Sequence, residues 1–258
     1  MSIENLRHFH NFIKGSLIEF SKKNPSTTLL DIAVGRGGDL FKWQHNNFKV
    51  VVGFDPHKES IDEAKRRLNV QLKKKNKCPY TKYFTLDMLD KNILQKLNNL
   101  EMNIKGLESH TYDVVSCQFA FHYFAKQMDQ VLQFISAKLN NGGIFIGTAT
   151  DGDKIYELLK ESGTISTKLL QINKINDEKY TFNITSDSTN TYFDVKGESE
   201  EFFLFKEKLI YTAKFYDLHL LETKSFKEWY QIYDRQMTDE ECMVSFLNFS
   251  FSFIKITS

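Results

Sequence analysis

Proline, glycine and cysteine are scarce in this 258-residue chain, with three, 12 and three copies. So few prolines and glycines, and no long Gly/Ser/Pro tract, leave no composition for a flexible or polyproline linker. The cysteines, Cys78, Cys117 and Cys242, form no C-x-x-C pair. That removes a disulfide framework and a zinc site, and fits the reduced thiols of an intracellular protein. No run of 18 apolar residues is present to span a membrane. The opening Met1-Ser2-Ile3-Glu4-Asn5 lacks the basic-then-apolar pattern of a signal peptide, so no leader is expected. Net charge is only +1, which excludes polyanion binding by brute charge. Two phosphate fingerprints are also missing. Neither G-x-G-x-x-G, which cradles a dinucleotide pyrophosphate, nor G-x-x-x-x-G-K-[ST] occurs.

What is present is a globular chain, 41% hydrophobic, long enough to bury a full core as a single domain over residues 1–258. Strand patterns near 28–33, 49–54, 81–86, 112–117 and 143–149 alternate with helix patterns near 38–46, 57–75, 90–99 and 125–139. Such alternation predicts an α/β fold with a mostly parallel sheet covered on both faces. Residues 3–23 read as an amphipathic helix with Leu6, Phe9, Ile13, Leu17 and Phe20 on one face. After Thr150 the pattern changes. Residues 165–196 read as a small antiparallel insertion walling the substrate side, and Glu200 to Tyr216 reads as helix. Leu218–Glu222 and Phe249–Ile256 read as strands that close the sheet antiparallel. Lysine, asparagine, isoleucine and phenylalanine are abundant, as in AT-rich genomes, which many large DNA viruses and some protists have.

The ligand crevice of such a sheet lies at the carboxyl ends of its strands. There the strand Thr28–Ala33 enters a glycine turn, Gly35-Arg36-Gly37-Gly38, which lets a ligand press against backbone. A second strand ends at Asp55, 20 residues beyond Gly35, where a nucleotide-binding α/β unit places the acid that holds ribose hydroxyls. An acid in the first strand (Asp31), a looser glycine turn and no phosphate motif suit a nucleoside cofactor with an amino-acid tail. S-adenosylmethionine fits that description.

The strings around this turn carry a specific likeness. Asp31 to Trp43 resembles the D-x-G-x-G-[KR]-G-G-D-x-x-K-W motif of eukaryotic and viral mRNA cap guanine-N7 methyltransferases. Leu6 to Ile18 resembles that family's N-terminal helix, R-x-F-N-N-W-x-K-x-x-L-I. Tyr112 to Phe124 resembles F-D-x-x-S-x-Q-F-x-x-H-Y-x-F, and Asn140 to Thr148 resembles L-x-P-G-G-x-F-I-G-T. The blocks follow family order and spacing over most of residues 5–150, and the last hundred residues match more weakly. The resemblance implies a class I methyltransferase fold, Rossmann-like, with a seven-stranded sheet flanked by helices. It implies methyl transfer from S-adenosylmethionine to guanine N7 of the 5′-5′ GpppN cap.

Residue by residue, the resemblance places Lys14, Asp31, Ala33, Gly35, Asp39, Asp55, Asp87, Gln118 and Tyr123 around the cofactor. Lys14 would reach the methionine carboxylate, Asp55 the ribose and Asp87 the adenine amino group. Ordinary readings stand beside these: an exposed lysine, a first-turn acid at Asp39 and a helix cap at Asp87. Around the cap it places His10, Asn11, Arg36, Arg67, Phe119, His122, Tyr123, Glu201 and Phe246. Phe119 and Tyr123 would sandwich guanine, with His122 and Glu201 bonding its edge. Arg36 and Arg67 would grip the phosphate bridge. Glu201 reads equally well as a solvated acid. The run Lys73-Lys74-Lys75-Asn76-Lys77 reads equally as a solvated face or a phosphate track. Ala33 stands where the family has glycine, His10 where it has asparagine near the cap ribose, and Glu200 where it has proline.

Guanine N7 has no proton to lose, so no acid/base pair is assigned, and His122, Tyr123 and Glu201 are orienting residues. No metal is called for. The implied partner is the capped 5′ end of RNA, with other capping enzymes or RNA polymerase as further candidates and no membrane. The expected chain is a monomer. The expected location is the cytoplasm, including a viral factory or virion for a viral chain, or the nucleus for a cellular one. Two other classes compete: another class I methyltransferase, and a catalytically silent methyltransferase-like RNA-binding subunit.

Overall fold

The computed structural model describes residues 3–22, 27–107, 109–184 and 198–257. Helix α1 (Glu4–Ser21) leads into an alternation of strands and helices: β1 (Thr28–Ile32), α2 (Leu40–His45), β2 (Val50–Asp55), α3 (Lys58–Lys73) and β3 (Tyr80–Thr85). It continues through α4 (Ile93–Glu101), β4 (Tyr112–Gln118), a 3₁₀ helix (Phe121–Gln127), α5 (Met128–Lys138) and β5 (Leu139–Thr150). Then follow α6 (Gly152–Leu159), β6 (Thr164–Ser166), β7 (Leu170–Lys174), β8 (Lys179–Ile184), β9 (Ser199–Phe202) and α7 (Lys206–Lys214). The chain closes with β10 (Leu218–Ser225), α8 (Phe226–Tyr230), α9 (Asp239–Ser245) and β11 (Asn248–Lys255).

The main sheet has seven strands in the order β10-β11-β5-β4-β1-β2-β3. Strands β1 to β5 run parallel, β11 is antiparallel to β5, and β10, antiparallel to β11, runs in the direction of the first five. This is the class I methyltransferase arrangement the sequence predicts. Every residue of β1 and β2 is buried, because helices cover both faces. Alternate side chains divide between two cores: Leu29 and Val51 join one, and Leu30, Val50 and Val52 the other.

Helix α1 buries Leu6, Phe9, Ile13 and Leu17 as predicted, but Phe20 is 55% exposed and lies off that face. The helix is tied to the far end of the chain. The Leu6 amide donates to Glu241 Oε1 at 3.0 Å, and His10 Nε2 lies 2.8 Å from Ser245 Oγ. Among the described residues, no helix is long and apolar enough to cross a membrane.

The insertion forms a four-stranded antiparallel sheet, β6-β7-β8-β9. It runs from Thr164 to Phe202, wider than the predicted 165–196, of which residues 185–196 lie outside the described residues. The helix expected from Glu200 begins only at Lys206. Ser199–Phe202 is instead a strand, because Glu201 pairs in register with Tyr180 across β8. Long-range pairing overrides local helix preference there. The helix predicted over 125–139 likewise divides into the 3₁₀ segment and α5.

Candidate functional site

A cleft of about 640 Å³ opens at the carboxyl ends of the parallel strands. Thirteen of the predicted residues line it: Asn11, Lys14, Asp31, Ala33, Gly35, Arg36, Asp39, Asp55, Arg67, Asp87, Gln118, Phe119 and Tyr123. Its floor is the turn after β1. Gly35 and Gly37 take positive φ, and a Cβ on Gly37 would sit 3.1 Å from that of Ala64 on α3. Ala33 also takes a positive φ of 58°. The alanine therefore keeps the left-handed backbone that glycine adopts more cheaply.

Asp55 ends β2 and is 7% exposed. Its Oδ2 accepts from the Gly35 amide at 3.0 Å and its Oδ1 from the His57 amide at 2.9 Å. These bonds fix the carboxylate between two loops.

A charged group stands beside this turn. Lys14 Nζ and Lys42 Nζ each lie 2.8 Å from Asp39 Oδ1. Burial pushes the Asp39 carboxyl up, but the two lysines outweigh it and hold it at about 2. Lys42 is itself lowered, since burial outweighs the Asp39 charge on its side. Lys42 also donates to Asn11 Oδ1 at 2.8 Å. Asp31 is pushed well above the usual carboxylate range, first by burial and then by the Asp39 charge, against a Ser116 hydrogen bond. Asp39 heads α2 without capping it through its side chain.

Asp87 is exposed two residues past β3, and its Oδ1 accepts from the Leu89 amide at 2.9 Å. It shapes a turn, and the cap position of α4 belongs to Asn92. Gln118, the last residue of β4, accepts from Thr148 Oγ1 at 3.1 Å and donates to Ser116 Oγ at 3.2 Å. Arg36 is exposed at the mouth, while Arg67 reaches it from α3 with Nε 2.8 Å from Glu63 Oε1. Lys73 ends α3 and Lys74 to Lys77 follow it, and none of them belongs to the cleft lining.

The opposite wall is aromatic. Phe119 follows β4 with a positive φ of 55°, held by its amide donating to the Thr148 carbonyl at 2.8 Å. The His10 ring stacks on it at 4.9 Å and 19°. Burial, then Lys14, lowers His10 to about 3, so it is neutral. His10 thus sits behind Phe119 and outside the cleft lining, away from the open position expected near a ribose.

Behind Tyr123 lies a buried polar group. Tyr123 and His122 rings meet at 4.3 Å. The Thr150 amide donates to His122 Nδ1 at 3.4 Å. That bond places the proton of the neutral ring on Nε2. Burial lowers the His122 pKa, against the raising effect of Glu201. Among the described residues His122 Nε2 has no hydrogen-bond partner, and it lies 3.6 Å from Glu201 Oε2. Glu201, 2% exposed, accepts from Tyr180 Oη at 2.7 Å through Oε2 and from Ser199 Oγ at 3.1 Å through Oε1.

Four predicted residues, His10, His122, Glu201 and Phe246, are absent from the cleft lining. The first three form its backing. Phe246 packs on Tyr230 at 5.5 Å and gives its carbonyl to Lys154. Sequence reasoning missed Arg7, His57 and Ser199, which do line the cleft. Arg7 had a signal, lying one helical turn before Asn11 on α1. Ser199 had none, because its strand forms by distant pairing.

The profile of the mRNA (guanine-N(7))-methyltransferase domain matches residues 1–247. An mRNA cap guanine-N(7) methyltransferase of Caenorhabditis briggsae is 33% identical over 183 residues, covering 67% of this chain and 46% of that protein. One of Drosophila melanogaster is 26% identical over 240 residues, covering 88% of this chain and 56% of that protein. The chain therefore spans about half the length of these relatives. An S-adenosylmethionine-dependent methyltransferase structure from Clostridium acetobutylicum superposes with a TM-score of 0.62 at 15% identity, covering 97% of this chain and 92% of that one. The fold, the glycine turn with its ribose-type acid, and a profile match over nearly the whole length agree: the chain belongs to the mRNA (guanine-N(7))-methyltransferase domain family.

Proposed function

We propose that this chain is a single domain that transfers the methyl group of S-adenosylmethionine to guanine N7 at the capped 5′ end of mRNA, its antiparallel insertion walling the acceptor side. The observation that carries this reading is one cleft with two unlike walls. One wall has the Asp55 carboxylate fixed between two loops. The other has Phe119 and Tyr123, backed by His122 Nε2–H and the Glu201 carboxylate. Donor and acceptor complement a guanine edge, since Nε2–H suits a carbonyl oxygen and a carboxylate suits ring and amino N–H groups.

When bound, the cofactor supplies a sulfonium methyl electrophilic enough for a lone pair to take. On this reading Asp55 binds the ribose hydroxyls, and Asp87 receives the adenine amino group. Lys14, held beside Asp39, faces the amino-acid tail. Gly35 and Ala33 let the ligand approach the backbone, with Gln118 and Asp31 closing the floor. Phe119 and Tyr123 hold the purine flat, and His122 and Glu201 set its rotation. Arg36 and Arg67 stand where the cap phosphates leave the cleft. Guanine N7 needs no base, so these residues act by alignment, which can supply about 7–11 kcal/mol. Aromatic faces and a carboxylate also tolerate the positive charge that reaches the purine.

The test is methyl mapping by mass spectrometry after reaction with capped and uncapped RNA. Methylation at N7 of the capped guanosine alone is expected. Transfer to an internal adenine would sink this reading.

A further inference from the structure

We infer that Tyr180 is a positioning residue, whose hydroxyl holds the Glu201 carboxylate in place for the acceptor base. This rests on the cap reading of the aromatic wall. Tyr180 and Glu201 are direct cross-strand partners on β8 and β9. Tyr180 is fully buried, and its Oη lies 2.7 Å from both Glu201 Oε2 and Thr150 Oγ1. Hydrogen accounting orders these bonds. An ionised carboxylate only accepts, so the single Tyr180 proton goes to Glu201, and Thr150 Oγ–H donates to Tyr180 Oη.

Thr150 ends β5 and serves both orienting groups. Its hydroxyl steadies Tyr180, while its amide holds His122 Nδ1. The inserted sheet therefore does more than wall the site. It delivers one recognition group and locks it to the strand that fixes the other. The Tyr180 ring separately packs on Phe203 at 4.8 Å, so ring and hydroxyl can be tested apart.

Removing the hydroxyl leaves a buried carboxylate with one donor fewer. Glu201 then loses the contact that fixes its orientation toward the base. Among the described residues, the titratable groups facing Glu201 are His122 and Tyr123 from the 3₁₀ helix and Tyr180 from β8.

The experiment is isothermal titration of a GpppA cap analogue and of S-adenosylmethionine into wild type, Tyr180→Phe, Thr150→Val, Thr150→Ser and Glu201→Gln near neutrality. Tyr180→Phe should weaken cap binding about tenfold. Cofactor affinity should stay within about twofold. Thr150→Val should give a smaller loss, and Thr150→Ser should restore binding. Wild-type cap affinity in Tyr180→Phe, or equal loss of both ligands, overturns the inference while Glu201→Gln still tests the cap reading. Should Tyr180→Phe not fold, an absent effect of Thr150→Val overturns it instead. If wild type binds no cap analogue and Glu201→Gln changes nothing, the cap reading falls and takes the inference with it.

Discussion

On the cofactor side of the cleft, the decisive hydrogen bond joins Gly35 to Asp55 across 20 residues, inside one strand-turn-helix-strand unit. On the acceptor side, His10 reaches Ser245 across 235 residues, and Glu201 depends on a strand partner from a separate sheet. The first wall is charged and made largely of loop backbone, with Asp39 between two lysines. The second is aromatic, with Phe119 and Tyr123 half-buried at the cleft and His10, His122 and the Glu201 carboxylate buried behind them. On the proposed reading, a ribose and an amino-acid tail offer fixed polar groups that a local turn can meet. A flat purine needs surfaces brought from several elements, which only the assembled fold provides.

The sharpest way to break this contrast is to remove one wall alone. Asp55→Ala should cost about 1.5–3 kcal/mol of cofactor binding or more, because it also frees the Gly35 and His57 loops. Calorimetry should find cofactor affinity lost in a protein that still melts cooperatively. Near-normal affinity would mean that the ribose is held elsewhere.

The neutrality of His10 behind the acceptor wall is tested by acid. His10 is lowered to about 3 when folded, from 6.5. The unfolded chain thus binds the extra proton between those values, and stability present above pH 6.5 is lost as pH falls. Over two pH units the loss is about 2–3 kcal/mol. Asp31, raised by burial, works in the opposite direction. The readout is therefore the difference in urea midpoint between wild type and His10→Asn from about pH 7 to 4.5. The variant should lose less stability, and parallel curves would contradict a buried neutral His10.

A smaller effect separates the walls by salt. Arg36→Ala with Arg67→Ala should weaken the cap analogue and flatten its salt slope while sparing the cofactor. If cap affinity is unchanged, or both ligands weaken alike, the arginines are structural. Smallest is Ala33→Gly, which relieves a left-handed alanine and should raise stability by about 0.5–1 kcal/mol at most. A loss in thermal midpoint would show that the methyl group packs usefully.

How far the sequence could be read follows the same division. β1, the glycine turn, β2 and Asp55 are legible because period, turn chemistry and spacing all act within one unit. The antiparallel close of the sheet by β10 and β11 is legible from alternation. Phe20 is not, because a helical face only approximates what its neighbours cover. Glu200–Phe202 falls within a predicted helix and becomes strand because Tyr180 lies opposite Glu201. The aromatic cluster after β4 shows its position in sequence. Which members face the cleft and which stand behind depends on Thr148 and Thr150, both on β5.

The bond from Leu6 to Glu241 has a consequence for how the molecule comes into being. Helix α1, which carries Lys14 and Asn11, leaves the ribosome well before its partner on α9. At about 5–20 residues per second, the interval across their 235-residue separation is on the order of 10–50 s. During it the glycine turn and Asp55 can already fold, while the apolar stripe of α1 has no final seat. The nascent chain should therefore form the turn that holds Asp55 before Lys14 is secured. On the proposed reading, binding competence arrives in two instalments, the second only when α9 has emerged.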